Sequence, residues 1–249
     1  NVGQGTFTLM NNTTGSSNTA IGYRVMVLNT TGGANVGLGP YSMVFNTTGA
    51  SNTALGSSTL YNNTIGTGNV AVGRNALVEN RAKGANTAVG YAAMQYADST
   101  GTQSDAFNTA IGYRALYGST TASNNTGERN TVLGAQSATA NTSGSNNLFL
   151  GYNSAATNTT GSRNIIVGSV NGPTAITSDY INVGNVFHGN MVANGPNTSL
   201  SDGSASLAID GDLTVNNFVA TGTITGSITG NASSVTLPID ADLATSPAG

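Results

Sequence analysis

The 249-residue sequence predicts an all-β fold, a parallel β-solenoid or β-roll of about ten mostly 17-residue coils, on three observations. The phrase Asn-Thr-Ala-Ile-Gly-Tyr-Arg stands at Asn18 to Arg24 and returns unchanged at Asn108 to Arg114. Looser copies begin at Asn1, Asn35, Asn52, Asn69, Asn86, Asn130, Asn147 and Asn164, in steps of 17 residues except for two of 22. Inside each copy, apolar and small residues alternate as in a strand, and a fixed short period is the mark of stacked units that share one core.

Each copy opens with Asn, then Thr or an aliphatic, then usually Ala or Gly, then an aliphatic, then Gly, as in Asn69-Val-Ala-Val-Gly73. The middle position is tiny in Gly3, Ala20, Gly37, Ala54, Ala71, Ala88 and Ala110, and its neighbour is a large aliphatic in Ile21, Leu38, Leu55, Val72, Val89 and Ile111. Successive strand residues face opposite ways, so a narrow coil takes the tiny side chain inside and points the aliphatic outward. Four residues after the Gly a second apolar position (Leu9, Met26, Met43, Leu60, Leu77, Met94, Leu116) predicts a second, shorter strand. The coil closes through corners such as Asn29-Thr-Thr-Gly32 and Asn46-Thr-Thr-Gly49, whose Gly and Asn accept tight-turn backbone angles. Stacked about 4.8 Å apart, about ten coils predict a rod roughly 50 Å long.

The two 22-residue steps fall in consecutive coils, within Ala97 to Phe107 and Gly118 to Arg129, and predict one raised patch on the rod. In the last copies the tiny position becomes Val132, Phe149 and Ile166 while the second apolar position shrinks to Ala138 and Ala155, which predicts a change of cross-section. The repeat region spans 1–168; a cap or neck comes next over 169–199, with a last strand-like Tyr180-Ile-Asn-Val-Gly184. Residues 200–249 form a β-rich connector, expected to continue beyond the chain, in which Asp210-Gly-Asp212 between aliphatic alternations signals a hairpin.

Composition limits the function. There is no Cys, no Trp, one His and 7% charge, with 34 Gly. All seven basic residues precede position 169 among four acids, and six acids without Lys or Arg come after it, so no basic stripe for nucleic acid exists. No run of 18 apolar residues predicts a membrane-spanning helix.

The phrase Asn-Thr-Ala-Ile-Gly-Tyr-Arg-Ala-Leu at Asn108 to Leu116 resembles the head repeats of trimeric autotransporter adhesins, the YadA-like left-handed parallel β-roll, and closely similar repeats occur in phage tail fibres. The resemblance covers residues 1–168, and this coil is longer than the usual one of the adhesin head. It implies a homotrimer, and closed symmetry about a common axis would bury the outward row Ile21, Leu38, Leu55, Val72, Val89 and Ile111 along its length. The segment from Thr221 to Ser234 is similar to the stretch that succeeds such repeats in tail fibres, and no heptads lead into a coiled coil.

Candidate chemistry is sparse. His188 has no Cys partner, and Asp210 and Asp212 read as turn residues before they read as paired carboxylates. No Gly-Gly-x-Gly-x-Asp nonapeptide supplies calcium ligands, so no cofactor or metal is expected. The repeated Asn residues read as amide ladders between coils, and the Asn-x-Ser/Thr sequons at Asn12, Asn29, Asn46, Asn141 and Asn158 as turn chemistry. Tyr23, Tyr91, Tyr113 and Tyr152 come directly after the strand Gly and either pack between coils and subunits or stack on sugars. Candidate receptor contacts are Tyr96, Asp98, Asp105 and Tyr117, in or beside the insertions, because loops carry recognition on a regular scaffold.

The expectation is a non-enzymatic structural and adhesive segment of a phage or phage-like tail fibre in the extracellular virion tail. Its partners would be its own copies, other tail or fibre proteins and a host cell-surface glycan or protein. The alternatives are the head of a bacterial trimeric adhesin at the cell surface and a polysaccharide-degrading fibre, which would need paired carboxylates in a cleft.

Overall fold

The Asn-x-small-aliphatic phrase forms a strand of only three residues, because the Gly at its end takes a backbone hand closed to other residues. At Gly112 φ is +139°, and a Cβ there would lie 2.5 Å from the carbonyl oxygen of Gly134 in the next coil. A computed structural model describes residues 1–97, 100–170 and 178–185, and the backbone of the strands Phe187–Asn190 and Asn197–Ser199. The chain divides into two compact units, Asn1–Leu207 and Ala208–Gly249, and all described residues belong to the first. The Asp210 to Asp212 turn and the rest of 200–249 lie outside them.

The fold is an all-β parallel solenoid of about ten coils. Thr19–Ile21, Val36–Leu38, Thr53–Leu55, Val70–Val72, Thr87–Val89, Thr109–Ile111, Thr131–Leu133, Leu148–Leu150 and Ile165–Val167 stack in parallel after Val2–Gln4. The register never slips: Ala20 lies over Gly37, Gly37 over Ala54, and Ala88 over Ala110 across a 22-residue step. The extra residues therefore leave the strand stack through the loops and do not shift it. Tyr180–Val183 adds one more parallel strand, with Ile166 beside Asn182, after which Phe187–Asn190 and Asn197–Ser199 pair antiparallel.

The expected second strand does not form. Its residues run through successive turns in which alternate positions are left-handed: Arg24 has φ 56° and Met26 φ 49°, and Tyr41 and Met43 repeat this at 61° and 50°. The segment still bonds to the next coil, with Met26 N–H to Ser42 O at 3.1 Å and Leu28 N–H to Val44 O at 3.0 Å. A left-handed Met or Leu costs about 1–2 kcal/mol. Burial of the side chain, worth about 1.5–3 kcal/mol, offsets that cost.

Those side chains are the core. Met26, Met43, Leu60 and Leu77 are fully buried with Ala20, Ala54, Ala71 and Ala88, and the residue before each (Val25, Ser42, Thr59, Ala76) is buried too, so the interior holds a large side chain in every such coil and not small residues alone. At Gly37 a methyl group would fit only if its neighbours shifted, because a Cβ would meet Val25 Cγ1 at 2.7 Å and the Met26 terminal methyl at 2.9 Å. In the later coils the pair is exchanged: Val132, Phe149 and Ile166 fill the strand side while Ala138 and Ala155 make room opposite. The expected change of cross-section is thus a swap of volume across a core whose strand pairing continues unchanged.

Two columns of Asn close the corners. In the strand column Asn35 N–H donates to Asn18 Oδ1 at 2.9 Å and Asn52 N–H to Asn35 Oδ1 at 2.9 Å. In the corner column Asn29 Nδ2 donates to Asn12 Oδ1 at 2.6 Å and Asn46 Nδ2 to Asn29 Oδ1 at 2.7 Å. Both columns meet at the corner carbonyl: Gly32 O accepts from Asn18 Nδ2 at 2.8 Å and Asn29 Nδ2 at 2.9 Å. The expected ladders exist, and buried amides are tolerated because neighbouring rungs satisfy them. The strand column ends where Tyr180 N–H, in place of a further Asn, donates to Asn164 Oδ1 at 2.9 Å.

Candidate functional site

Two surfaces stand out on this scaffold, the outer face of the strand stack and the patch at the paired insertions.

Because the middle residue of each strand points inward, its two neighbours share the outer face. Leu38 and Ile111 are exposed there, while Ile21, Leu55, Val72 and Val89 are half-buried in the single chain. The row runs further than the six positions singled out in the sequence: Leu133 is 49% exposed, and Leu150, Val167 and Val183 continue it. Beside it runs a second row on the same face, in which Val36, Val70, Leu148 and Ile165 interrupt Thr19, Thr53, Thr87, Thr109 and Thr131. The alternation in the sequence carried both extensions.

At the insertions, Ser104–Asp105 runs parallel to Lys83–Gly84 in a separate two-stranded ladder. Lys83 Nζ donates to Ser104 Oγ and lies 3.3 Å from Glu128 Oε1, so one ammonium ties the first insertion to the end of the second. The second insertion carries a 3-10 turn at Ala122–Asn124. Asn125 then folds back: its Nδ2 donates to Ser119 O at 2.8 Å and to Tyr96 O, and its Oδ1 accepts Ser119 N–H at 2.9 Å. This side chain, which no repeat position marks, pins the second insertion to Tyr96, just before the first.

Tyr96 and Tyr117 meet edge to face with ring centroids 5.0 Å apart, and the Arg114 guanidinium carbon stands 3.9 Å from the Tyr117 ring centroid. The hydrogen bond between the two hydroxyls, with burial and the nearby negative charges, pushes the Tyr96 phenol above its ordinary pKa. Asp105 is exposed on the same patch, and Asp98 lies outside the described residues. Among the other tyrosines, Tyr91 and Tyr113 stack at 5.4 Å, and Tyr23 packs edge to face on Tyr41 at 5.4 Å. Tyr152 is 61% exposed. At the end of the repeat region, Arg163, just before the last repeat, and Asp179, after it, form a bidentate ion pair between neighbouring coils, and the guanidinium holds the Asp179 carboxyl below the usual carboxylate range.

Among the described residues no three His, Cys, Asp or Glu side chains converge as a metal site would require. Fold and surfaces together define a parallel β-solenoid repeat protein with a semi-apolar sheet face. No protein-family model, curated protein or solved structure matches the chain.

Proposed function

We propose that this chain is a structural and adhesive segment of an extracellular fibre, a phage or phage-like tail fibre, which assembles as a homotrimer and takes part in attachment to a host surface. The observation that carries the reading is the outer face of the strand stack, where Ile21, Leu38, Leu55, Val72, Val89, Ile111 and Leu133 form an aliphatic line in one register. At about 4.8 Å per coil this line is far longer than the scattered apolar residues of an ordinary surface. Copies related by closed cyclic symmetry bury it along its whole length. Other fibre proteins would continue the rod at its ends.

Ile111→Asp is expected to convert the trimer to monomer or to aggregate, since the symmetry mates would bring like charges together in a dry seam. Thr31→Asp, on an exposed corner, is expected to leave assembly unchanged. Light scattering coupled to gel filtration checks both, and a wild-type chain that runs as a stable monomer would refute the trimer.

The adhesive part of the reading rests on the insertion patch. Tyr96, Tyr117, Arg114 and Asp105 combine aromatic faces with polar groups of the kind that sugars engage, and a trimer presents three such patches for avidity. Replacement of both insertions by the Asn-Thr-Thr-Gly corner at 17-residue spacing is expected to weaken binding to host cells or a glycan array at least about tenfold while the oligomer persists. Undiminished binding would move recognition elsewhere in the fibre.

A further inference from the structure

The corner column of Asn is broken at the insertions, and a partly open pocket lies at the break. Asn63 Nδ2 donates to Asn46 Oδ1 at 2.8 Å and Asn80 Nδ2 to Asn63 Oδ1 at 3.0 Å; the column resumes with Asn158 Nδ2 on Asn141 Oδ1 at 2.8 Å. Between Asn80 and Asn141 two coils lack the rung. In the first, Ala97 occupies the corner by its backbone, with its N–H on Met94 O at 3.1 Å as Asn80 N–H is on Leu77 O at 3.3 Å. In the second, Ser119 stands at the corner and its N–H is taken by Asn125.

The consequence is an orphaned acceptor. Asn80 is fully buried, and its Oδ1 has no hydrogen-bond partner, the one such buried side-chain atom among the described residues. Asn80 lines a partly open pocket of about 30 Å³, whose walls mix the amides of Asn125 and Asn141 and the Lys83 ammonium with Met94 and Leu116. By the same measure one water needs about 10–15 Å³ and two to four polar partners.

We propose that this gap is a built-in hydration site, in which about two ordered water molecules stand in for the two missing Asn side chains and donate to Asn80 Oδ1. Three observations converge on it: the interrupted column, the unpartnered buried carbonyl and a pocket with room for water that has the Asn125 and Asn141 amides on its wall. A lone acceptor asks for a donor, and the Lys83 ammonium on the same wall disfavours a metal cation. The site lies within a single chain and is independent of the trimer. It lets two consecutive coils depart from the corner sequence, and so carry insertions, without a dehydrated amide in the core.

The test is a high-resolution crystal structure of the full chain and of Ala97→Asn, with buried waters counted in solution by oxygen-17 relaxation dispersion. The wild type is expected to show density within about 2.7–3.2 Å of Asn80 Oδ1. In Ala97→Asn the introduced amide takes that place, and at least one long-lived water is lost. A dry cavity, Asn80 Oδ1 bonded to a protein donor, a metal at about 2.3 Å, or an equal water count in the variant would each overturn the proposal.

Discussion

Phe149→Ala is expected to lower stability by about 3–5 kcal/mol, the usual cost of removing a fully buried aromatic side chain from a packed core. Phe149 is completely buried in the same core cluster as Ala155 of its own coil, where earlier coils bury a small strand residue with Met or Leu. Adding Ala155→Met to Phe149→Ala rebuilds the earlier arrangement, Ala on the strand and Met opposite, and is expected to recover at least half of the loss. Hydrogen exchange over residues 147–164, alongside urea unfolding, checks both, because a solenoid's stability is local to a coil and its neighbours. Recovery of nothing would mean that the two columns do not share one space.

Asn52→Ala is expected to cost about 2–4 kcal/mol, since it strands buried partners worth about 1–3 kcal/mol each. Asn52 Oδ1 accepts both the backbone N–H and the Nδ2 of Asn69 at 2.9 and 3.1 Å, and its Nδ2 donates to Gly66 O at 2.8 Å and Asn35 Oδ1 at 3.2 Å. Asn52→Asp is expected to be worse at neutral pH, although the shape is kept. A carboxylate there still accepts from Asn69, but it faces two acceptor oxygens without a donor and carries an unpaired buried charge. Burial raises the pKa of the introduced carboxyl above its unfolded value near 3.9. The deficit therefore grows as pH rises above that value and shrinks as the group is protonated on acidification. A thermal melting series between pH 4 and 8 distinguishes this variant from Asn52→Ala, whose deficit is flat in pH.

The period, the strand positions, the inward Ala and Gly and the amide ladders were all legible in the residues, because a 17-residue repeat with one alternating strand leaves a single register in which like stacks on like. The outward aliphatic row came from the same alternation. Its extension to Leu133 and Val183 needed no new signal. What the tertiary structure alone decided was how the rest of the coil turns. Nothing in Val25-Met26-Val27 announces a left-handed Met, since the conformation is unfavourable locally and is held by burial against Ala20 and by bonds to the next coil. The exchange of large and small residues at Phe149 and Ala155 was visible as letters, and only packing showed it to conserve the core. The broken corner column is the last such case: Ala97 reads as an ordinary loop residue until its backbone is seen in a corner, leaving Asn80 Oδ1 without a rung. Periodic contacts are encoded once per coil and can be read from one strand, whereas departures from the period depend on which residues the stacking brings face to face.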